Sequence, residues 1–209
     1  AILDMEDEAI FVFDQQKAYE QLSRAFPELS DLKISVGLPA AITVSAVERT
    51  PILTWNYEEQ SLWMDSEGVI FPVRGEFEGL PLISANSEPP LLPVAAPAEE
   101  ASQDAPIETL LPEETGSILG RQMDPRVMEV TLKMLAQIPA EATLIYDRYS
   151  GLGWNDPSGW SVFVGRTLEN IDMKMIEYQA IVSYLGTQGV KPSAISVESI
   201  HAPFFRTEQ

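Results

Sequence analysis

The sequence predicts an α+β fold in two parts, because three capped helical stretches lie among short strand-like runs separated by turn residues. Residues 1–50 are expected to form a small domain with helices on a mixed or antiparallel sheet. Residues 51–209 are expected to form an antiparallel-sheet domain that carries two helices. With 209 residues, 45% of them hydrophobic, the chain can bury one large core or two small ones.

The predicted small domain begins with an apolar run at Ile10–Phe13. Asp14 then stands where a side chain can cap a helix over 15–26, and Pro27 ends that helix. A two-stranded hairpin follows, turning at Gly37–Pro39. Its apolar side chains alternate with polar ones and are Leu32, Ile34, Val36, Ile42, Val44 and Ala46.

The larger domain opens with three predicted strands, at 52–55, 61–64 and 69–71. The last two are joined by Asp65–Gly68, which has the composition of a turn. All four tryptophans lie in predicted strands of this domain, where we interpret them as sheet-packing residues: Trp55, Trp63, Trp154 and Trp160.

Residues 87–115 differ in composition, since proline, alanine and acids dominate. Such a stretch buries too little apolar area to offset the entropy of ordering it. It is therefore predicted to be a flexible or extended acidic loop.

The remaining sequence predicts two helices, a three-stranded meander at 144–149, 153–155 and 160–164, and a terminal strand at Ile195–Ile200. Asp124 is expected to cap the first helix and Asp172 the second. The predicted buried stripes are Met128, Leu132, Leu135 and Ile138 in the first helix, and Ile176, Ala180 and Tyr184 in the second.

Charge and composition disfavour several classes of partner. A formal net charge of −19 opposes binding to nucleic acid and to an anionic bilayer. No stretch reaches the length of about 20 apolar residues that a membrane-spanning helix needs, and no signal peptide is recognisable. The absence of cysteine excludes disulfides and thiolate chemistry.

No catalytic, cofactor-binding or metal-binding residue is predicted. His201 is the only histidine, and no nucleophile motif accompanies it. The pairs Asp65 with Glu67 and Asp147 with Asp156 could serve a glycosidase, but turn chemistry explains each carboxylate already. The oxygen spacing of a calcium loop is missing.

Two charged residues follow the second hairpin strand. Glu48 and Arg49 are adjacent in sequence, so their side chains leave opposite faces of a strand. One of them is expected to hold a domain junction through a charge-assisted bond.

These motifs together resemble the extracytoplasmic part of the FtsQ/DivIB bacterial cell-division proteins. The resemblance rests on "LPAAITV" followed by "VERTP", then "DSEGVIF", and later on "GWSV" before Gly165, a helix containing Lys174, and the strand at 195–197. It covers nearly the whole chain except 87–115. In that family the first block is a POTRA domain and the second is called the β domain.

The resemblance implies a non-enzymatic scaffold of the division machinery that acts during septum formation. The implied partners are the bitopic division proteins FtsB and FtsL, with no cofactor. It also implies a single-pass protein of the cell membrane whose present part is extracytoplasmic. The anchor would lie in an N-terminal segment that this sequence does not contain.

The expected mode of binding is addition of a partner strand to the terminal strand, whose edge is predicted to be unpaired. The residues predicted to contact the partner are Ile195, Val197, Ser199, Phe204 and Phe205. The excess negative charge favours a partner with a basic strip. Two alternatives remain: a POTRA-type chaperone or binding module of secretion or outer-membrane assembly, and a secreted glycosidase that uses carboxylates.

Overall fold

A computed structural model describes residues 13–37, 41–93, 117–167 and 169–207. Its helices are α1 (Gln15–Ala25), α2 (Pro125–Leu135) and α3 (Ile171–Gln188). Its strands are β1 (Leu29–Gly37), β2 (Ala41–Glu48), β3 (Leu53–Tyr57), β4 (Gln60–Met64), β5 (Ile70–Pro72), β6 (Leu82–Ala85), β7 (Thr143–Asp147), β8 (Gly151–Asp156), β9 (Trp160–Gly165), β10 (Ala194–Ser196) and β11 (Phe204–Arg206).

The strands form two sheets, which confirms the predicted α+β class. β1 and β2 make an antiparallel ribbon beside α1, while the other nine strands form one mixed sheet in the order β11-β10-β9-β8-β7-β6-β3-β4-β5. The sheet expected to be antiparallel over residues 51–209 is instead mixed, since it is parallel where β6 lies between β3 and β7 and where β10 meets β9. β7, β8 and β9 form the predicted antiparallel meander.

Helix α1 and the ribbon form where the capping residue and the alternating apolar side chains predict them. The side chain of Asp14 accepts hydrogen bonds from the amides of Gln16 and Lys17, as expected of an N-cap. Ile34 lies opposite Val44 in the ribbon and is buried, whereas Val44 is exposed in the described part of the chain. The predicted run Ile10–Phe13, apart from Phe13, and most of the predicted turn Gly37–Pro39 lie outside the described residues.

The core lies on one face of the nine-stranded sheet. Directly paired residues point their side chains to the same face, so Trp55, Ile83, Leu144, Trp154, Val162 and Ile195 form one row across six strands. All six are buried, and helices α2 and α3 pack into the same cluster. The sheet is therefore covered by helices on this face.

Strand β6 was not predicted from the sequence. It has four residues between Pro81 and Asn86, too few to show a clear alternation of apolar and polar side chains. It nevertheless lies in the middle of the sheet, where it joins β3 to the meander.

The predicted buried stripes of the two later helices need correction. In α2 the predicted Met128 is buried, but Leu132 is 40% exposed. Leu135 and Ile138 are partly buried against the core, and Val127, Val130 and Met134 are buried in addition. In α3 the predicted stripe faces outward, since Ile176 is 60% and Tyr184 59% exposed. The cap position of α3 is Asn170, and Asp172 lies in the first turn. α3 is apolar around most of its circumference, so periodicity alone cannot choose its buried side.

The predicted acidic loop at 87–115 is described only over its first seven residues, 87–93. Within them Leu91 forms an isolated bridge with Met123, and the amide of Leu92 donates to the carbonyl of Gln122. The beginning of this stretch is thus hydrogen-bonded to the segment before α2. Among the helices of the described ranges, none is both long and apolar enough to cross a membrane.

The close approach of β8 to β9 gives a stability prediction. A Cβ added to Gly153 would lie 2.1 Å from the carbonyl oxygen of Val162, whereas one added to Gly186 in α3 meets nothing within 4 Å. Gly153→Ala should lower the free energy of unfolding by about 2 kcal/mol or more, because backbone atoms must shift. Gly186→Ala should raise it by about 0.5–1 kcal/mol through helix propensity. Urea unfolding of both variants checks the pair, and equal effects would contradict the described β8–β9 contact.

Candidate functional site

The strand predicted to be a free edge is paired on both sides. β10 lies parallel to β9 and antiparallel to β11, and the prediction of an unpaired edge along Ile195–Ile200 is therefore wrong. The chain turns after β10 and returns as β11, which covers the predicted edge. β11 is hard to predict, because it has only three residues and Pro203 precedes it.

The terminal strand of the sheet on this side is β11. No described segment pairs with its outer side. The neighbouring strands show which way the N–H and C=O groups of β11 point. The amide of Val197 donates to the carbonyl of Phe163, so the backbone N–H and C=O groups of residues 195 and 197 point toward β9. Ala194 and Ser196 therefore face β11, where they pair with Arg206 and Phe204.

Phe205 consequently turns its own N–H and C=O away from the sheet. The next outward position toward the N-terminus is Pro203, which has no N–H to donate. The next one toward the C-terminus is Thr207. The open edge is thus short and centred on Phe205, and it offers an N–H donor and a C=O acceptor to an incoming strand.

The side chains of β11 point to different faces. Phe205 lies opposite Ile195 and shares the helix-covered face, whereas Phe204 lies opposite Ser196 on the other face. The two rings are 43% and 49% exposed. The guanidinium of Arg206 lies 5.6 Å from the centre of the Phe204 ring, within cation–π distance.

The structure separates the residues predicted to contact a partner. Ile195 and Val197 are fully buried in the core. Ser199 is exposed in the turn between β10 and β11, where its carbonyl accepts a hydrogen bond from the amide of Ala202. Only Phe204 and Phe205 lie on the edge strand itself.

The opposite end of the sheet is closed by the chain. The amide of Ile70 in β5 donates to the carbonyl of Arg121, and the amide of Gly120 donates to the carbonyl of Ile70. Val69 and Gln122 form a further bridge. The segment before α2 therefore satisfies the outer side of β5, which leaves β11 as the sheet end without a partner in the described part of the chain.

A buried lysine holds β9, the strand that pairs with β10, against α3. Lys174 of α3 is 2% exposed, and its Nζ donates to the carbonyl oxygens of Val164 and Thr167 at 2.9 and 2.8 Å. Burial lowers the pKa of Lys174, while nearby carboxylates, Glu198 first, act in the opposite direction. The ammonium group ties the end of β9 and the following loop to α3.

A tyrosine–aspartate pair supports the same region. The Tyr178 hydroxyl donates to Oδ2 of Asp156 at 2.8 Å, and the Tyr178 ring packs edge-on against Trp154. Burial, with the neighbouring Asp156 carboxylate, raises the pKa of Tyr178 to about 12. Burial also opposes ionisation of Asp156, but hydrogen bonds from the Ser158 amide and Tyr178 outweigh it and keep the pKa of Asp156 below its usual value.

The junction between the ribbon and the large sheet centres on Arg49. Its guanidinium pairs with Asp65, reaches Glu67 at 3.3 Å and donates to the carbonyl of Pro27 at 3.2 Å. Glu48 is exposed at the end of β2. Of the two residues predicted to hold the junction, the side chain of Arg49 bridges the two sheets.

The two carboxylate pairs raised as candidate acids occupy turns. Asp65 accepts hydrogen bonds from the amides of Glu67 and Val69, and Asp147 accepts them from the amides of Tyr149 and Ser150. Asp147 and Asp156 stand at opposite ends of the β7–β8 pair. The structure therefore does not bring these two together.

A cleft of about 550 Å³ lies beside α2. Two of the cationic side chains that line it are already paired, Arg126 with Asp124 at 2.6 Å and Lys133 with Glu129 at 3.0 Å. In the described ranges, no group of three or more acidic or histidine side chains could hold a metal ion. Comparison with known proteins finds no matching family model and no matching curated protein.

Replacing Tyr178 by Phe tests the buried pair. The folded-state pKa of Tyr178 lies above the unfolded value near 10, so its stabilising contribution is present below pH 10 and is lost as pH rises toward 12. Tyr178→Phe should lower the free energy of unfolding at pH 7 by about 1–2 kcal/mol and flatten its fall between pH 10 and 12.

Urea unfolding across this pH range provides the measurement, with Tyr149→Phe as control because Tyr149 is 80% exposed. The control should keep the alkaline loss of stability. If Tyr178→Phe lost as much unfolding free energy between pH 10 and 12 as the control, the Tyr178–Asp156 pair would not be the source of the alkaline loss of stability.

Removing Arg49 tests the junction. Arg49→Ala leaves the Asp65 carboxylate, whose side chain is 9% exposed, without its cation, which should destabilise the native contact by about 3 kcal/mol. Amides of β1 and β2 should then exchange with solvent faster, while those of β8 remain protected. Arg49→Lys, which keeps the charge, should have a smaller effect. Unchanged exchange in β1 and β2 would show that Arg49 does not hold the ribbon in place.

Proposed function

We propose that this chain is an extracytoplasmic scaffold of the bacterial division machinery, similar to FtsQ, that binds other division proteins during septum formation without catalysing a reaction. The proposal combines the sequence resemblance with one structural observation. That observation is the open edge at β11, where Phe205 turns its N–H and C=O away from the sheet. FtsB-like and FtsL-like proteins are the proposed partners.

Binding by strand addition fits this edge. A partner strand that pairs with Phe205 extends the nine-stranded sheet by one strand and gains main-chain hydrogen bonds there. The Phe205 side chain offers an apolar contact on the helix-covered face, while Phe204 and Arg206 present an aromatic and a cationic contact on the other face. The partner strand is therefore expected to be apolar opposite Phe205.

We further propose that a single N-terminal segment holds the protein in the cell membrane and that the described part lies on the extracytoplasmic side. This placement rests on the resemblance. The small domain over 1–50 is proposed to be POTRA-like, and the domain over 51–209 is proposed to correspond to the β domain.

Proline at position 205 tests strand addition directly. Phe205→Pro removes the outward N–H but leaves the inward hydrogen bonds of Phe204 and Arg206 in place. Phe205→Val removes the same ring and keeps the N–H. The ligand is the extracytoplasmic domain of an FtsB-like protein from the same organism, and affinity is measured by calorimetry.

Phe205→Pro should bind about tenfold more weakly than Phe205→Val, since one main-chain hydrogen bond contributes roughly 0.5–1.5 kcal/mol. Equal affinities of the two variants would contradict pairing at this edge. No binding by the unchanged chain would contradict the proposed function itself.

A further inference from the structure

A cleft of about 290 Å³ lies where the ribbon meets the nine-stranded sheet. Glu28, Glu48 and Arg49 line it from the ribbon side. Trp63 of β4 and Phe71 of β5 line it from the sheet side, and further side chains come from the segment between β5 and β6. The cleft therefore lies at the opposite end of the sheet from β11.

One wall of the cleft is aromatic. The Trp63 ring packs edge-on against Phe71, with ring centroids 6.2 Å apart, and against Phe77, with centroids 6.4 Å apart. Trp63 and Phe71 are buried, whereas Phe77 is 49% exposed. An exposed aromatic ring that a neighbouring tryptophan already holds in place can bind a cation over its face with little further loss of side-chain entropy.

Three carboxylates also line the cleft, and their pairing is incomplete. Glu28 is 7% exposed, and its Oε1 lies 2.8 Å from Nε of Arg74, but its buried Oε2 has no hydrogen-bond partner among the described residues. Because Arg74 itself lines the cleft, this contact places the Glu28 carboxylate at the cleft wall. Glu48 and Glu76 are exposed and form no ion pair within the described ranges. A buried acceptor without a donor is unfavourable, so this wall favours a ligand that brings one.

The two arginines of the cleft do not supply the missing donor. The guanidinium of Arg49 is already engaged with Asp65, Glu67 and a backbone carbonyl. The guanidinium of Arg74 contacts Oε1 of Glu28 and leaves Oε2 without a hydrogen bond. The cleft thus retains negative charge that the described residues do not neutralise, in a chain whose net charge is −19.

We propose that this cleft binds the guanidinium group of an arginine carried by a partner protein. The guanidinium stacks on the Phe77 ring, pairs with Glu48 and Glu76, and donates to Oε2 of Glu28. The side chain of Arg74, which is 56% exposed, shifts toward solvent to admit it. Arginine suits the site better than lysine, because its planar group stacks on aromatic rings and carries five N–H donors.

A small peptide tests the ligand. The probe is a terminally blocked peptide of four alanines around one arginine, titrated into the full chain and followed by NMR. It should shift the indole N–H of Trp63 and the amide of Phe77, and its binding should weaken as ionic strength rises. A peptide with citrulline in place of arginine keeps the planar shape but loses the charge, so it should bind at least tenfold more weakly. Equal binding of the two peptides, or no shift at Trp63, would overturn the proposal.

Paired substitutions test the carboxylates. Glu48→Gln with Glu76→Gln removes two charges from the cleft and should weaken binding of the arginine peptide about tenfold. Glu59→Gln with Glu78→Gln removes two charges from exposed positions outside the cleft and should change the affinity by less than about twofold. Equal weakening by the two double variants would show a general attraction to an acidic chain and would overturn the site. Phe205→Pro should bind the peptide normally, so failure at this cleft leaves strand addition at β11 untouched.

Discussion

Every strand in a sheet must satisfy its backbone N–H and C=O groups, and the two outermost strands of the nine-stranded sheet do so in different ways. β5 receives the segment around Gly120–Gln122 on its outer side. β11 receives none within the described ranges. The sheet therefore has one closed end at β5, beside the ribbon, and one open end at β11, eight strands away.

The open end depends on a series of contacts that begin in the core. The ammonium group of Lys174 holds the end of β9, and Tyr178 with Asp156 holds the other end of the same hairpin. β10 lies parallel to β9, with Ile195 and Val197 fully buried, and β11 pairs with β10. An edge built on a rigid strand keeps its backbone groups in one direction, which reduces the ordering that a partner strand would otherwise have to oppose. These contacts inside the core therefore position the open edge at β11.

Much of this arrangement is readable from the sequence where local rules dominate. Asp14 and Pro125 mark helix starts through capping and fixed backbone geometry, and the turn at Asp65–Gly68 follows from its composition. Signals fail where a choice depends on distant residues. β6 is too short to show a period, and α3 has apolar side chains on two sides, so the sequence cannot tell which side meets the sheet.

The position of the edge strand is the wrong prediction that teaches most about this sheet. Ile195 and Val197 are strong strand-forming residues near the C-terminus and both are fully buried, Ile195 in β10 and Val197 directly after it, so they lie one strand inside the border of the sheet. The border falls to Phe204–Arg206, a three-residue strand behind a proline. Short edge strands with a neighbouring proline limit uncontrolled pairing, so weak strand signals are what an edge should show. In α3 the opposite holds, since the apolar side chains of Ile176 and Tyr184, predicted to be core, are exposed.

The most direct measurement is amide hydrogen exchange, resolved by residue along β11 in the free chain and in the presence of the FtsB-like partner. The inward amides of Phe204 and Arg206 should be protected in both states. The amide of Phe205 should exchange rapidly in the free chain and become protected when the partner binds. Protection of Phe205 in the free chain, or no change at Phe205 on binding, would contradict an open edge that serves strand addition.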